Sequence, residues 1–276
     1  EIYTLSLHDA LPISIHLQDN QRLLGEGNGE TFTITTQQEG IVDIPETSPG
    51  ARDGDRPIIM GALGMGAVQL ADTNEVANFD VDGTGSMASV HGIFSPTTGA
   101  GNPDIHDMEI HDVTGDGIVF TPLTRDDDDD PATPQVTVAG NVTIDDMVFD
   151  SVVGSDINID SATTTDINDA NVTLQETILI SDVLSTDGGD FSLDLSNTHA
   201  GTGRSTTITG FTYNGGIGTA GGIRLTDFDG TLTASTSTLR NGTQAGLQIA
   251  GESDGDIMFA STVTFTSIDE IGRAHV

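Results

Sequence analysis

The densest group of side chains able to do chemistry is Asp104-Ile-His-Asp-Met-Glu-Ile-His-Asp112. If Met108 and Ile110 point into a core, strand alternation places Asp107, Glu109 and His111 together on the outer face. Those side chains are acceptable ligands for a divalent metal, and a carboxylate beside an imidazole can also exchange protons. In a chain with 43 acidic residues, the same pattern also describes a solvated strand face, and that simpler reading takes precedence. Asp112-Val-Thr-Gly-Asp-Gly117 matches the opening of a calcium loop. Such a loop needs a carboxylate at its twelfth position, which here is Leu123. Asp112 and Asp116 are therefore read first as part of the bend between Ile110 and Ile118. Asp80-Val-Asp-Gly83 and Asp227-Phe-Asp-Gly230 are read the same way, as turn chemistry before calcium chemistry.

Glycoside hydrolysis needs two carboxylates about 5 to 10 Å apart. Asp145 and Asp146 do not form such a pair, because neighbours in a strand point to opposite faces. Arg204, Arg224 and Arg240 lie 20 and 16 residues apart. On stacked turns they could meet an acidic sugar; offsetting nearby Asp charge is the plainer role. No Ser–His–Asp group, phosphate loop or metal-spaced His pair stands out. No catalytic or cofactor-binding residue is assigned, metal ligands are left open, and calcium is the one cation the Asp-rich turns suggest.

Composition narrows the partners. The chain carries 43 acidic residues against 8 Arg with no Lys, a net charge of −35. That charge opposes nucleic acid, whose affinity rests on Lys and Arg neutralising phosphates. It also opposes anionic membrane surfaces unless a cation intervenes. No apolar run approaches the roughly 18 residues a membrane span needs. The absence of Cys removes disulfides and thiol chemistry from this stretch. With 34 Gly, 10 Phe, 2 Tyr and no Trp, the core has to be mainly aliphatic. The acids are mostly Asp, which suits turns where Glu suits helices.

These residues have to be positioned by strands. Apolar-x-apolar pairs recur: Met108-x-Ile110 precedes Ile118-x-Phe120, Met147-x-Phe149 precedes Ile157-x-Ile159, and Leu239 precedes Leu247-x-Ile249. Phe211-x-Tyr213 and Ile223-x-Leu225 repeat the unit with a longer insert. Period-two alternation puts both members of a pair on one face, and the Gly- or Asn-containing inserts allow sharp bends. Units of roughly 20 to 25 residues cannot bury their inward side chains alone and must stack into a solenoid. On that count the chain forms about eleven coils.

Asn20-Gln-Arg-Leu-Leu-Gly-Glu-Gly27 and Gly115-Asp-Gly-Ile-Val-Phe120 resemble bacterial right-handed parallel β-helix repeat proteins. The resemblance implies an all-β, right-handed parallel β-helix over residues 15–269, with a polar acidic loop near 121–138 where five Asp are flanked by Pro. A β-sandwich array is the alternative fold. The Gly-His-Gly and Arg-x-Lys stretches associated with polygalacturonase-like β-helices are absent, as is any lyase chemistry requiring Lys. The function expected from the resemblance is structural: a segment of a large secreted or cell-surface protein making adhesive or glycan contacts, located outside the cell. A β-helix polysaccharide lyase or glycoside hydrolase is the alternative.

Both ends resemble translated short-read sequencing adapter. Ala10-Leu-Pro-Ile13 is codable as GCTCTTCCGATC, whose reverse complement, GATCGGAAGAGC, codes from the last base of Glu270 through Ile271-Gly-Arg-Ala274. Residues 1–14 and 270–276 are accordingly expected to be adapter-derived. His8, Asp9 and His275 then fall outside any candidate site.

Overall fold

The computed structural model describes residues 2–5, 11–25, 32–36, 40–44, 56–61, 66–84, 90–95, 101–120, 139–160, 175–196, 205–215, 221–228 and 230–266. The expected acidic loop near 121–138, Arg204 and residues 270–276 lie outside them. Every described element is a strand, and strands from successive coils pair in parallel. The architecture is a right-handed parallel β-helix, the hand that parallel crossovers adopt. Parallel pairing disposes of the sandwich alternative, whose strands would run antiparallel. Among the described residues one strand pair is antiparallel, Phe32–Thr36 with Gly40–Ile44, in a two-stranded sheet of its own. Ile2–Leu5 and Leu11–Ile13, in the adapter-like opening, pair with Arg22–Gly25 and Ile58–Gly61 at the beginning of the solenoid.

Each coil has three faces. The first two belong to one sheet folded along a sharp bend: Asp104–His106 pairs with Glu75–Ala77, whereas Glu109–His111 pairs with Asp80–Asp82. The third face is an eight-stranded sheet running from Ile15–His16 to Leu247–Ala250. Its aligned positions Ile93, Ile118, Ile157, Leu193, Ile223 and Leu247 are 25, 39, 36, 30 and 24 residues apart. From Ile93 onward the long coils have their extra residues between a third-face strand and the next first-face strand, at 121–138, 161–174 and 197–204, whereas residues 26–57 fall between a first-face and a second-face strand.

The two bends explain the abundance of Asp. At the first, Asn78, Asp107, Asp146, Asp182, Gly210 and Thr236 occupy one position on successive coils, with φ between 47° and 71°. At the second, Asp112, Ser151 and Asp187 do so, as does Asn241 two coils beyond Asp187, with φ between 53° and 59°. Asp and Asn tolerate this left-handed region better than other side chains with a Cβ. Gly and Asn are the residues expected here; Asp fills half of these ten positions. Between bends, inward side chains form a continuous column that includes Val81, Ile110, Phe149, Tyr213 and Leu239, each fully buried. Gly117 keeps the turn beside this column narrow: a Cβ there would lie 2.6 Å from the Asp156 carbonyl oxygen and 2.7 Å from the Phe149 ring.

Candidate metal centre on the acidic face

The outer face of the early coils carries the candidate chemistry. Met108 and Ile110 do point inward, fully buried. The expected trio of Asp107, Glu109 and His111 on one face does not form, however. Asp107 occupies the first bend at φ 54°, which breaks the alternation between Ile105 and Met108. It turns back to His106, whose Nδ1 lies 2.7 Å from Asp107 Oδ2. Glu109 and His111 remain outward on the second face, in register with Asp80 and Asp82 of the preceding coil.

This register builds a group that sequence order concealed. His111 Nδ1 lies 3.8 Å from Asp82 Oδ1 and 3.1 Å from Asp112 Oδ2. One ligand atom from each of the three residues falls within 4.8 Å of the others. Asp82 contributes from a strand, correcting the turn reading of Asp80-Val-Asp-Gly83. Its Oδ1 also accepts from the Thr84 amide at 2.7 Å, which fixes the carboxylate. Asp112 is held by the second bend, where its amide donates to the Asp150 carbonyl at 3.1 Å. Burial pulls the His111 pKa down, but its hydrogen bond to Asp112 and the charges of Asp82, Glu109 and Asp112 leave it raised. One imidazole nitrogen with two carboxylates is a donor set for a nitrogen-accepting divalent ion such as Mn²⁺ or Zn²⁺. It suits Ca²⁺ less well, because that ion takes six to eight oxygens.

Asp116 does not join Asp112 in a calcium loop. Its Oδ1 accepts from the Ser155 amide at 2.8 Å and its Oδ2 from Asn158 Nδ2 at 3.2 Å. Its own amide donates to His91 Nδ1 at 2.9 Å, so it ties one coil to the next. Asp227 is the turn residue expected, at φ 51°, with its Oδ1 accepting from the Glu252 amide at 2.7 Å.

A second cluster surrounds His106 on the first face. Its Nε2 is 3.6 Å from Glu75 Oε1, and Arg22 Nη2 donates to that same oxygen at 2.6 Å. Asp145 stands opposite His106 on the next coil, its Oδ1 accepting from Ser181 Oγ at 2.5 Å. Desolvation lowers the His106 pKa, but the hydrogen bond to Asp107 and the charges of Asp104, Asp107 and Glu75 outweigh it and raise it overall. Asp146 is displaced from the face onto the bend above Asp107. Partial burial first, then hydrogen bonding and repulsion from Asp107 and the charge of Asp145, raise its pKa. Asp146 thus sits on the bend while Asp145 stays on the first face, a separation made by the bend rather than by simple strand alternation.

Arg224 and Arg240 lie on different faces. Arg224 lies on the third face, 3.4 Å from Asp190, in contact with Asp194, and 4.8 Å from the centre of the Phe191 ring. Arg240 sits on the second face. Arg224 thus offsets local Asp charge, the plainer of the two expected roles. Among the described residues no helix is long and apolar enough to cross a membrane.

No family model and no curated protein matches this sequence. Among solved structures, the A-module of the Azotobacter vinelandii mannuronan C-5 epimerase AlgE4 is similar at 13% identity and TM-score 0.31, over 99% of this chain and 87% of that one. The A-module of AlgE6 from the same organism is similar at 10% identity and TM-score 0.25, over 100% and 89%.

Proposed function

We propose that this chain is a segment of a larger secreted or cell-surface protein whose β-helical faces contact polysaccharide, serving adhesion rather than turnover. The observation supporting it most directly is the laddering of short polar side chains on consecutive coils. Ser205, Thr207 and Thr209 stand in register with Thr231, Thr233 and Ser235, all half-buried, and Thr212 and Asn214 stand over Thr238 and Arg240. Hydroxyls both donate and accept, as sugar hydroxyls do. A column of them at about 4.8 Å spacing offers a repeating polymer a repeating surface. A divalent ion at Asp82, His111 and Asp112 would extend this contact to carboxylated sugars by offsetting the negative face. Calcium is retained as one of the ions to be tried.

The test is binding of the full chain to neutral and uronate-containing polysaccharides, with Ca²⁺, Mn²⁺, Zn²⁺ or a chelator present. Retention without shortening of the polymer supports the reading. A lyase or hydrolase reading draws on His106 between Glu75 and Asp145. Depolymerisation that disappears in His106→Ala would replace the adhesive reading with that one.

A further inference from the structure

The solenoid interior contains one feature that an aliphatic core does not need. Asp156, at the end of the turn before Ile157–Asp160, is completely buried. Its Oδ2 accepts from Ser192 Oγ at 2.6 Å and from Ser185 Oγ, both on the following coil. Its Oδ1 is buried and has no hydrogen-bonding partner. Tyr213, aligned with Ser185 one coil further on, is also fully buried, and its hydroxyl likewise has no partner. Three consecutive coils thus present polar oxygens to the interior.

That region has room. A Cβ built on buried Gly188 would meet nothing nearer than Asp156 Oδ1 at 3.6 Å and Oδ2 at 3.7 Å. A side-chain methyl at position 188 would therefore touch the carboxylate only at van der Waals distance, so the Gly188 side of Asp156 is not filled by another side chain. The neighbouring charges are all of one sign. Asp116 and Asp150 act on Asp156, and Asp156 and Asp187 act on Tyr213. An ionised carboxylate buried among negative charges is expensive unless a positive charge sits beside it.

We propose that the space beside Asp156 Oδ1 is a binding site for one small monovalent cation of the sodium class, exchanged for the carboxyl proton. The exchange balances: the protonated carboxyl plus the cation gives the carboxylate–cation pair and one free proton. A single carboxylate calls for a single positive charge, and a divalent ion would leave an excess charge in the core. The hydroxyl oxygens of Ser185, Ser192 and Tyr213 supply further neutral ligands, since the Ser protons already point at Oδ2. Burial pushes the Asp156 pKa up to about 7, against the lowering effect of the two Ser hydroxyls, so proton and cation compete near neutral pH.

The experiment measures the thermal midpoint of the full chain in sodium chloride and in tetramethylammonium chloride at equal ionic strength. At pH 8, sodium should raise the midpoint by several degrees over the bulky ion. The difference should vanish at pH 5, where the proton occupies Oδ1, and in Asp156→Asn. Gly188→Ala, which fills the space while leaving the carboxylate, should also shrink it. An equal difference in Asp156→Asn would assign the effect to surface carboxylates and overturn the proposal. So would the absence of any difference at pH 8, meaning a site filled by water only. If Asp156→Asn fails to fold, crystals of the unaltered chain soaked in rubidium chloride decide the matter: an anomalous peak beside Asp156 is expected, and its absence ends the idea.

Discussion

At the scale of single residues, two sites make opposing demands on the solvent. Asp156 is buried and costs stability when charged, so the sign of its pH dependence is fixed. Its folded pKa, about 7, lies above the ordinary 3.8, so the folded chain holds a proton that the unfolded chain has released between those values. Stability therefore falls as pH rises through that window and levels off above about 7. In tetramethylammonium buffer, denaturant titrations of Asp156→Asn should lack this component, visible as a shallower decline from pH 4 to 7 than in the unaltered chain. The outer group makes the contrary demand, needing His111 neutral to ligate. His111→Ala should weaken Mn²⁺ or Zn²⁺ binding at least tenfold by calorimetry, with little change in thermal midpoint, because the imidazole is half-exposed. Unchanged affinity would remove Asp82, His111 and Asp112 as a metal centre.

At the scale of elements, the bends are the positions where sequence and backbone agree least evenly. Asn78, Asp107, Asp146 and Asp182 suit the left-handed region, and Gly210 adopts it freely. Thr236 does not suit it, being β-branched at φ 50°. Thr236→Gly should therefore stabilise the chain by roughly 0.5–1 kcal/mol, read from the urea midpoint. The loss of its hydroxyl contact with Ser261, at 3.3 Å on the surface, offsets little of that gain. Packing within a strand shows the opposite sensitivity. Phe149 is wholly buried against its neighbours in the column, and Phe149→Ala should cost about 3–5 kcal/mol. The inward set was legible because apolar-x-apolar pairs follow the strand period: Met108, Ile110, Met147 and Phe149 are all buried as expected. The bends were not, because Asp107 and Asp146 look like ordinary strand residues until the shift in alternation after them is seen. The metal group was half legible for the same reason. His111 and Asp112 stood out in the sequence, while Asp82 enters only through parallel register, which no local spacing reveals.

At the scale of the whole molecule, the net charge is −35, and the described coils stack in register. Like charges then recur on neighbouring coils, as with Asp107, Asp146 and Asp182 along the first bend. Self-repulsion of this kind is screened over about 10 Å at 0.1 M salt. The thermal midpoint should consequently climb between 10 and 200 mM tetramethylammonium chloride, a titration that varies screening while the cation stays the same. A flat response would mean that the acids are already compensated by bound ions.

The corner at which the coil lengths differ has a practical meaning. Between Ile118–Phe120 and Ala139–Asp150, and again between Ile157–Asp160 and Gln175–Thr186, the chain absorbs quite different numbers of residues. The rungs on either side still meet residue for residue. That edge works as a splice point: the ladder keeps its own count and ignores the length of what is hung from it. A foreign peptide grafted between 161 and 174 should accordingly be carried by a rod that melts where the parent does, giving a ready mount for displayed sequences.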